Sequence, residues 1–410
     1  MNIASIPFLI FISLSVILFL LGNNLVYRQL LLSFINLIFL ITYIQNINTC
    51  IVFFVFILSS YLILKLIKKY SLQNYIFIFV SIIVVFFLFI KKYDFLKLII
   101  PTNLLDHKIE LIGISYMMFK LIHMIIDLYQ NQLSNIKLLY YANYQLGFFS
   151  LLAGPIQRYN DFYNYFNEID KTSFTKNEIL SSWNRVLTGM FKMGLLSILA
   201  LKLYQREAIG VISNVSSIKV IVHFMIYFYS YPIYVYLNFS GYCDIVIGCA
   251  QLIGLKLPEN FNSPFIARNM VEFWNRWHIT LSIWIRDYIF MNSYKWIAQK
   301  WNRHAKNAGY ILIFITFFIA GVWHGSTWNF IIFGLIHGFG VAVTRIYGDI
   351  LKSLLGRSGL KNYYKNSAIR LIAIFITFNY VCFSFIFFHV DLNRTLKIVN
   401  TFFISIISFI

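Results

Sequence analysis

Residues 75–90 read YIFIFVSIIVVFFLFI, and Lys91 and Lys92 follow directly. The run carries no charge, and Ser81 is its only residue outside the aliphatic and aromatic types. Wound as a helix at about 1.5 Å per residue it covers most of a bilayer core, and the lysines that close it belong at headgroup depth. Comparable runs lie on both sides of it. Toward the N-terminus stand Ile3 to Leu21, Leu30 to Ile44 and Ile51 to Ile67, the last closed by Lys68 and Lys69. Toward the C-terminus follow Ile109 to Tyr129, Leu146 to Ile156, Val186 to Tyr204, Ile218 to Leu237 and Val246 to Leu257. Gly309 to Trp323, Trp328 to Ile346, Leu371 to Phe388 and Leu396 to Ile410 complete the set. Leu146 to Ile156 and Val246 to Leu257 are too short for full crossings and read as re-entrant or buried pieces, which leaves an expectation of about ten to twelve spans. Ile3 to Leu21 lacks the basic leader and small-residue cleavage site of a signal peptide, so it is expected to remain as the first span.

Composition agrees. Of 410 residues 60% are apolar and only 12% charged, and the mean hydropathy is +0.72. That excludes a water-soluble globule, and the scarcity of proline (6) beside 43 Phe and 28 Tyr excludes disordered and collagen-like chains. The alternating pattern of a membrane barrel is absent, so the fold expected is an all-α, polytopic integral membrane protein with additional re-entrant or interfacial helices. The net charge of +19 would raise nucleic-acid binding in a soluble protein. Here the basic residues flank apolar runs, as in residues 65–69, so the partner they indicate is the lipid bilayer and not nucleic acid. Cys50, Cys243, Cys249 and Cys382 lie singly in apolar stretches, with no spacing for zinc or dithiol redox chemistry. No linker or repeat divides the chain, which reads as a single domain over residues 1–410 with its motifs between about 113 and 338.

Ionisable residues inside apolar runs are costly, and they are where chemistry is sought. His324 sits in Gly321-Val322-Trp323-His324-Gly325-Ser326-Thr327-Trp328-Asn329, between two long apolar segments. An imidazole can take and return a proton near neutrality, which suits a general base; a neutral histidine bonded to a neighbouring helix is the equally weighted alternative. A second constellation runs from Glu272 to Tyr288. On a helical wheel Phe273, Trp277, Leu281, Trp284 and Tyr288 share one arc, and Asn275, His278, Ser282 and Arg286 share the other. Either this is a helix lying flat at the interface, or its polar arc walls a cavity. Residues 153–159 and 238–244 are further polar clusters at span edges, read first as loop turns. His123, His223, His337 and His389 are expected to be core residues, and His107 and His304 to lie in loops.

Taken in order, these segments resemble the membrane-bound O-acyltransferase family. The resemblance is carried by Gly113-Ile114-Ser115-Tyr116, residues 153–159, Phe239-Ser240-Gly241-Tyr242-Cys243-Asp244, residues 258–265, Phe273 to Tyr288, and Gly321 to Asn329. It implies a bacterial plasma-membrane enzyme that moves an acyl group from a thioester to a hydroxyl. It places the family's active-site histidine on His324 and its second motif histidine on His278, with Asn275, Ser282, Arg286, Trp323 and Asn329 as candidate substrate contacts. The wording of residues 273–282 is similar to that of the teichoic-acid D-alanyl transfer branch, whereas residues 153–158 read more like the alginate and peptidoglycan O-acetyltransferases. Residues 290–295 depart from the Leu-Gly-Gly-Asn continuation usual in the acetyltransferases, and His389 stands where an arginine is common.

Such a transfer needs a base for the hydroxyl, stabilisation of an oxyanion and exclusion of water. No Ser or Cys sits in a nucleophile motif, so direct transfer is expected over an acyl-enzyme. No tightly bound cofactor is implied. The donor would be acetyl-CoA or an acyl carrier protein, and the acceptor a cell-envelope polymer, reached directly or through a secreted partner acyltransferase. A flippase of lipid-linked sugars and a non-catalytic scaffold are the alternatives from other classes; neither has a chemical need for the two-histidine set.

Overall fold

The computed structural model describes residues 2–22, 24–44, 46–70, 75–101, 113–133, 135–168, 175–213, 217–388 and 392–408. His107 and His389 lie outside them. The described residues are helices and short connections, with one isolated bridge between Phe261 and Trp277 and no strand. Six helices are long and apolar enough to cross a membrane: Ile47–Tyr70, Lys176–Ser213, Ser217–Leu252, Ala305–His324, Trp328–Lys365 and Ser367–Phe385. Ile6–Leu21, Leu25–Ile41 and Ile76–Lys91 are shorter apolar helices. Helix is the form these runs take because lipid offers no partner to a free N–H or C=O. The all-α membrane architecture is therefore as expected, whereas the sequence runs do not map one-to-one onto spans.

Contacts group the chain into two units. The first comprises Met1–Gly194 and Ser240–Glu259. Its early helices start on side-chain caps: Ser5 accepts from the Phe8 N–H with Pro7 in the first turn, and Asn24 accepts from Val26. The Ile114–Tyr129 helix is buried along nearly its whole length, including Lys120, His123 and Asp127. Lys120 is 0% exposed. Its ammonium donates to Tyr144 O (2.7 Å), Gln145 O (3.3 Å) and Ser150 Oγ (2.8 Å), meeting carbonyls that the end of the Leu138–Leu146 helix leaves open. His123 lies edge-on to Tyr144, with Nε2 3.1 Å from the Tyr144 hydroxyl, a partnered core histidine as expected.

Residues 146–156 are a buried, broken piece and not a crossing. The helix stops at Leu146, resumes for Phe148–Leu151, and residues 154–158 are irregular. Borrowed partners satisfy the freed backbone: Phe148 N–H donates to Asn36 Oδ1 (3.0 Å) and Ala153 N–H to the Tyr242 hydroxyl (3.2 Å). Residues 238–244 correct the loop reading. They lie inside the Ser217–Leu252 helix, which merges the runs 218–237 and 246–252 into one element. Asp244 can sit there because Arg185 (3.2 Å) and Lys192 (2.7 Å) neutralise it, and Arg185 also forks onto Glu259 (2.7 and 2.5 Å).

The second unit comprises Leu195–Phe239 and Asn260–Ile410. Its centre is the hairpin of Ala305–His324 and Trp328–Lys365. The two backbones touch at glycines. A Cβ on Gly321 would lie 2.5 Å from Phe330 O, and one on Gly334 2.4 Å from Phe317 O, so only glycine allows this approach. Around Phe333 of the hairpin packs an aromatic cluster of Phe273, Trp274, Trp277 and Phe385. His223 is half-buried and bonds through Nδ1 to the buried carboxylate of Glu207.

Candidate functional site

The stretch expected as one amphipathic helix is three elements. Met270–Trp274 is helical, the chain turns at Asn275–His278, Ile279–Ile285 is helical again, and Arg286–Phe290 widens into a π-turn. The break occurs at His278, whose backbone (φ 44°, ψ 52°) is left-handed. A residue with a bulky ring holds that conformation at a cost of order 1–3 kcal/mol, so neighbours must impose it.

They do so from residues 260–262. Asn260 Oδ1 accepts from the Thr280 N–H (3.1 Å) and hydroxyl (2.7 Å), and Asn260 O accepts from Ile279 N–H (3.0 Å). Asn262 N–H donates to Arg276 O (2.9 Å). The turn is thus clamped on both sides of His278. Upstream, Asn269 caps Glu272 N–H (2.8 Å), and the Glu272 carboxylate takes Arg268 (2.8 Å) and Arg276 (3.0 Å). Partial burial alone would raise the Glu272 carboxyl, but the two guanidinium groups outweigh it and hold it below the usual carboxylate range.

The clamp turns His278 inward, where it is 2% exposed, with its ring edge-on to Phe239 (4.8 Å) and Trp323 (6.0 Å between centroids). His324 ends the Ala305–His324 helix, where the chain becomes extended at Gly325. Its half-buried ring meets Trp323 (4.8 Å), Phe388 (5.2 Å) and Phe333 (5.8 Å). Phe333 in turn packs on His337 (4.4 Å). The site is therefore a row of rings, His278, Trp323, His324, Phe333 and His337, in which each imidazole is spaced from the next by an aromatic side chain. The Ser384 hydroxyl donates to Val381 O (2.6 Å), so it accepts at 2.8 Å from His337 Nε2–H. His337 is the buried, partnered core residue expected, but it stands beside His324.

The two histidines singled out in the sequence come together around Trp323, which was also expected there. Asn329 is buried in the first turn of the next helix. Ser282 stays near His278, its hydroxyl 3.3 Å from both Trp277 O and His278 O. Asn275 and Arg286 do not join the row. Both are exposed; Asn275 closes a helix, and Arg286 pairs with Asp287 (2.9 Å). The wheel grouped them with His278 because it assumed an unbroken helix, and the left-handed turn rotates His278 off their arc. The apolar arc survives: Phe273, Trp277, Leu281, Trp284 and Tyr288 are all buried. Asn260, the clamp, had no assigned role in the sequence reading, although it lies within one of the motif segments.

A bundle of helices long and apolar enough to cross a membrane, with two imidazoles packed on one tryptophan beside a helix end, defines a multi-pass membrane protein. Residues 31–387 match the membrane-bound O-acyltransferase family, and the chain belongs to it. It is a membrane acyltransferase. Among similar proteins, a teichoic acid D-alanyltransferase of Bacillus subtilis (strain 168) is 34% identical over 296 residues, covering 68% of this chain and 69% of that protein. A probable alginate O-acetylase of Azotobacter vinelandii is 32% identical, covering 58% of this chain and 45% of its own length. A peptidoglycan O-acetyltransferase of Helicobacter pylori is 30% identical, covering 63% and 46%.

Proposed function

We propose that this enzyme, seated in the bacterial plasma membrane, transfers a D-alanyl group from a thioester made in the cytosol to a hydroxyl of a cell-envelope polymer, with a D-alanyl carrier protein as donor. The observation that carries the choice of acyl group is the similarity to a teichoic acid D-alanyltransferase over two thirds of both chains, against under half the length of the two acetyl-transferring relatives. Acetyl transfer from acetyl-CoA, with or without a secreted partner acyltransferase, is the second reading, favoured by the wording of residues 153–158.

In this reading His324 is the base. Among the described residues its ring has aromatic neighbours, and the residue is half-buried, not fully enclosed. The acceptor hydroxyl gives its proton to the His324 imidazole as its oxygen attacks the thioester carbonyl. The resulting oxyanion collapses, the carbon–sulfur bond breaks, and the thiolate leaves with the proton returned by the imidazolium, so no atom remains on the enzyme. His278 polarises or orients the substrate from the far side of Trp323, whose indole packs against both rings. Ser282 and Asn329 are the remaining candidate contacts. The aromatic walls keep water from the thioester. Membranes containing the full chain, supplied separately with labelled D-alanyl carrier protein and labelled acetyl-CoA, should label envelope polymer from the first donor. Labelling from acetyl-CoA alone overturns the choice of acyl group, and labelling from neither overturns the reading.

A further inference from the structure

The Ser367–Phe385 helix ends in the second unit just before Phe388. The last turn of a helix leaves carbonyls without intrahelical donors, and a ring carried past that turn has no ladder to fix it. Phe388 is nevertheless held by both of its backbone polar groups. Its N–H donates to Phe385 O (3.1 Å), and its carbonyl accepts from the Tyr231 hydroxyl (2.7 Å). Tyr231 belongs to the Ser217–Leu252 helix, 157 positions earlier, and Tyr204 of Ser197–Ser213 packs on its ring at 4.7 Å between centroids.

The side chain so held reaches His324. The Phe388 ring stands at 79° to the imidazole with centroids 5.2 Å apart, and it also meets Phe330 (5.1 Å) and Phe333 (4.7 Å). Edge-to-face rings at this separation are in contact, so no water fits between them. That matters because a base able to take a proton from an acceptor hydroxyl can take one from water. In that leak the water oxygen attacks the thioester carbonyl as its proton passes to His324. The carbon–sulfur bond then breaks, the thiolate takes the proton back from the imidazolium, and the acyl group leaves as the free acid.

A second tyrosine of the same helix supplies a matched comparison. The Tyr229 hydroxyl donates to Asn379 Oδ1, also at 2.7 Å, and its ring stacks on Phe378. Both bonds tie Ser217–Leu252 to the Ser367–Phe385 helix or its end, but the Tyr229 bond stops on a side chain within that helix, whereas the Tyr231 bond holds the backbone of Phe388. We propose that Tyr231 is a positioning residue: it seats Phe388 against His324 and thereby sets how the enzyme divides its donor between transfer and hydrolysis. The inference rests on the reading of His324 as the base of a thioester-dependent transfer.

The test supplies membranes containing the full chain with a carrier protein charged with labelled D-alanine, or with labelled acetyl-CoA where that is the donor wild type uses. Polymer-bound label and free labelled acid are both counted, each after subtraction of the amount from His324→Ala membranes. Their ratio does not depend on how much protein accumulates. Tyr231→Phe should raise free acid relative to polymer-bound label about tenfold, short of the roughly hundredfold scale of a full 1 Å misplacement. Phe388→Leu should leak likewise, and the double variant should leak no more than Phe388→Leu alone, since both changes undo one arrangement. Tyr229→Phe should keep the wild-type ratio. A Tyr231→Phe enzyme with the wild-type ratio overturns the proposal. So does a Tyr229→Phe enzyme that leaks as much, which would reduce both bonds to ties between helices. A wild type that yields neither product from either donor overturns the thioester reading itself, and this inference with it.

Discussion

Asn260 and Thr280 form the joint on which the candidate site turns: one side-chain oxygen of Asn260 accepts both the backbone N–H and the hydroxyl of Thr280, two residues beyond His278. Asn260 is fully buried, so removing its amide takes two hydrogen bonds from Thr280 at a place away from water. Each unmet buried group costs about 1–3 kcal/mol. Asn260→Ala should therefore release the left-handed turn, lowering acyl transfer roughly a hundredfold, the scale of a misplacement of about 1 Å. Thr280→Val, which keeps the backbone donor, should lose less, and Thr280→Ser should stay near wild type. Transfer assays on membranes with matched expression check the order; an Asn260→Ala enzyme as active as Thr280→Ser refutes the joint.

His278 itself combines a backbone demand and a ring. Asn tolerates the left-handed region best among the polar residues, whereas a β-branched side chain is excluded from it. His278→Asn should insert and accumulate normally while transfer falls, and His278→Val should accumulate poorly as well. Immunoblots of membranes beside activity separate the two effects. Equal accumulation of both variants would mean that the turn is not under backbone constraint.

Much of this was legible in the residues. The apolar runs and their lysine ends mark the helices because lipid penalises both free backbone groups and buried charge, and Gly321-Val322-Trp323-His324-Gly325 marks the hairpin bend because small residues and a lone titratable group stand together. What the residues do not display is who satisfies whom. The turn at His278 is imposed by Asn260, eighteen positions away and unreadable from the local period. Residues 238–244 read as a loop turn because a polar cluster interrupts the apolar run, whereas in the fold Arg185 and Lys192 neutralise Asp244 within the helix. The same blindness to partners placed Asn275 and Arg286 on one wall with His278.

The hairpin makes a sharp contrast between glycines. Gly321→Ala would drive a methyl group to 2.5 Å from Phe330 O and force the two helices apart just before His324. Gly348 lies within the same helical hairpin, and a methyl group added there would meet nothing within 4 Å among the described residues. Gly348→Ala should stabilise the protein by up to about 1 kcal/mol through helix propensity, and Gly321→Ala should destabilise it and lower transfer. Thermal midpoints in detergent decide the matter, and a neutral Gly321→Ala would show that the backbones do not touch.

Two titrations should separate on acidification. Glu272 has its carboxyl held below the ordinary value by Arg268 and Arg276, so its contribution to stability is complete above the unfolded carboxyl pKa and disappears as pH falls through the lower folded value. Wild type and Glu272→Gln should therefore differ in thermal midpoint near neutrality and converge in strong acid. Catalysis follows a different group. A histidine base accepts the hydroxyl proton only when neutral, so transfer by an enzyme saturated with both substrates must fall as pH drops through the folded pKa of His324, while donor binding persists. His324→Ala should cost at least about a hundredfold and flatten that limb, and His278→Asn should lower the rate while leaving the limb in place. If Glu272→Gln shifts the acid limb of transfer along with stability, the limb reports unfolding, and the assignment of the base to His324 fails.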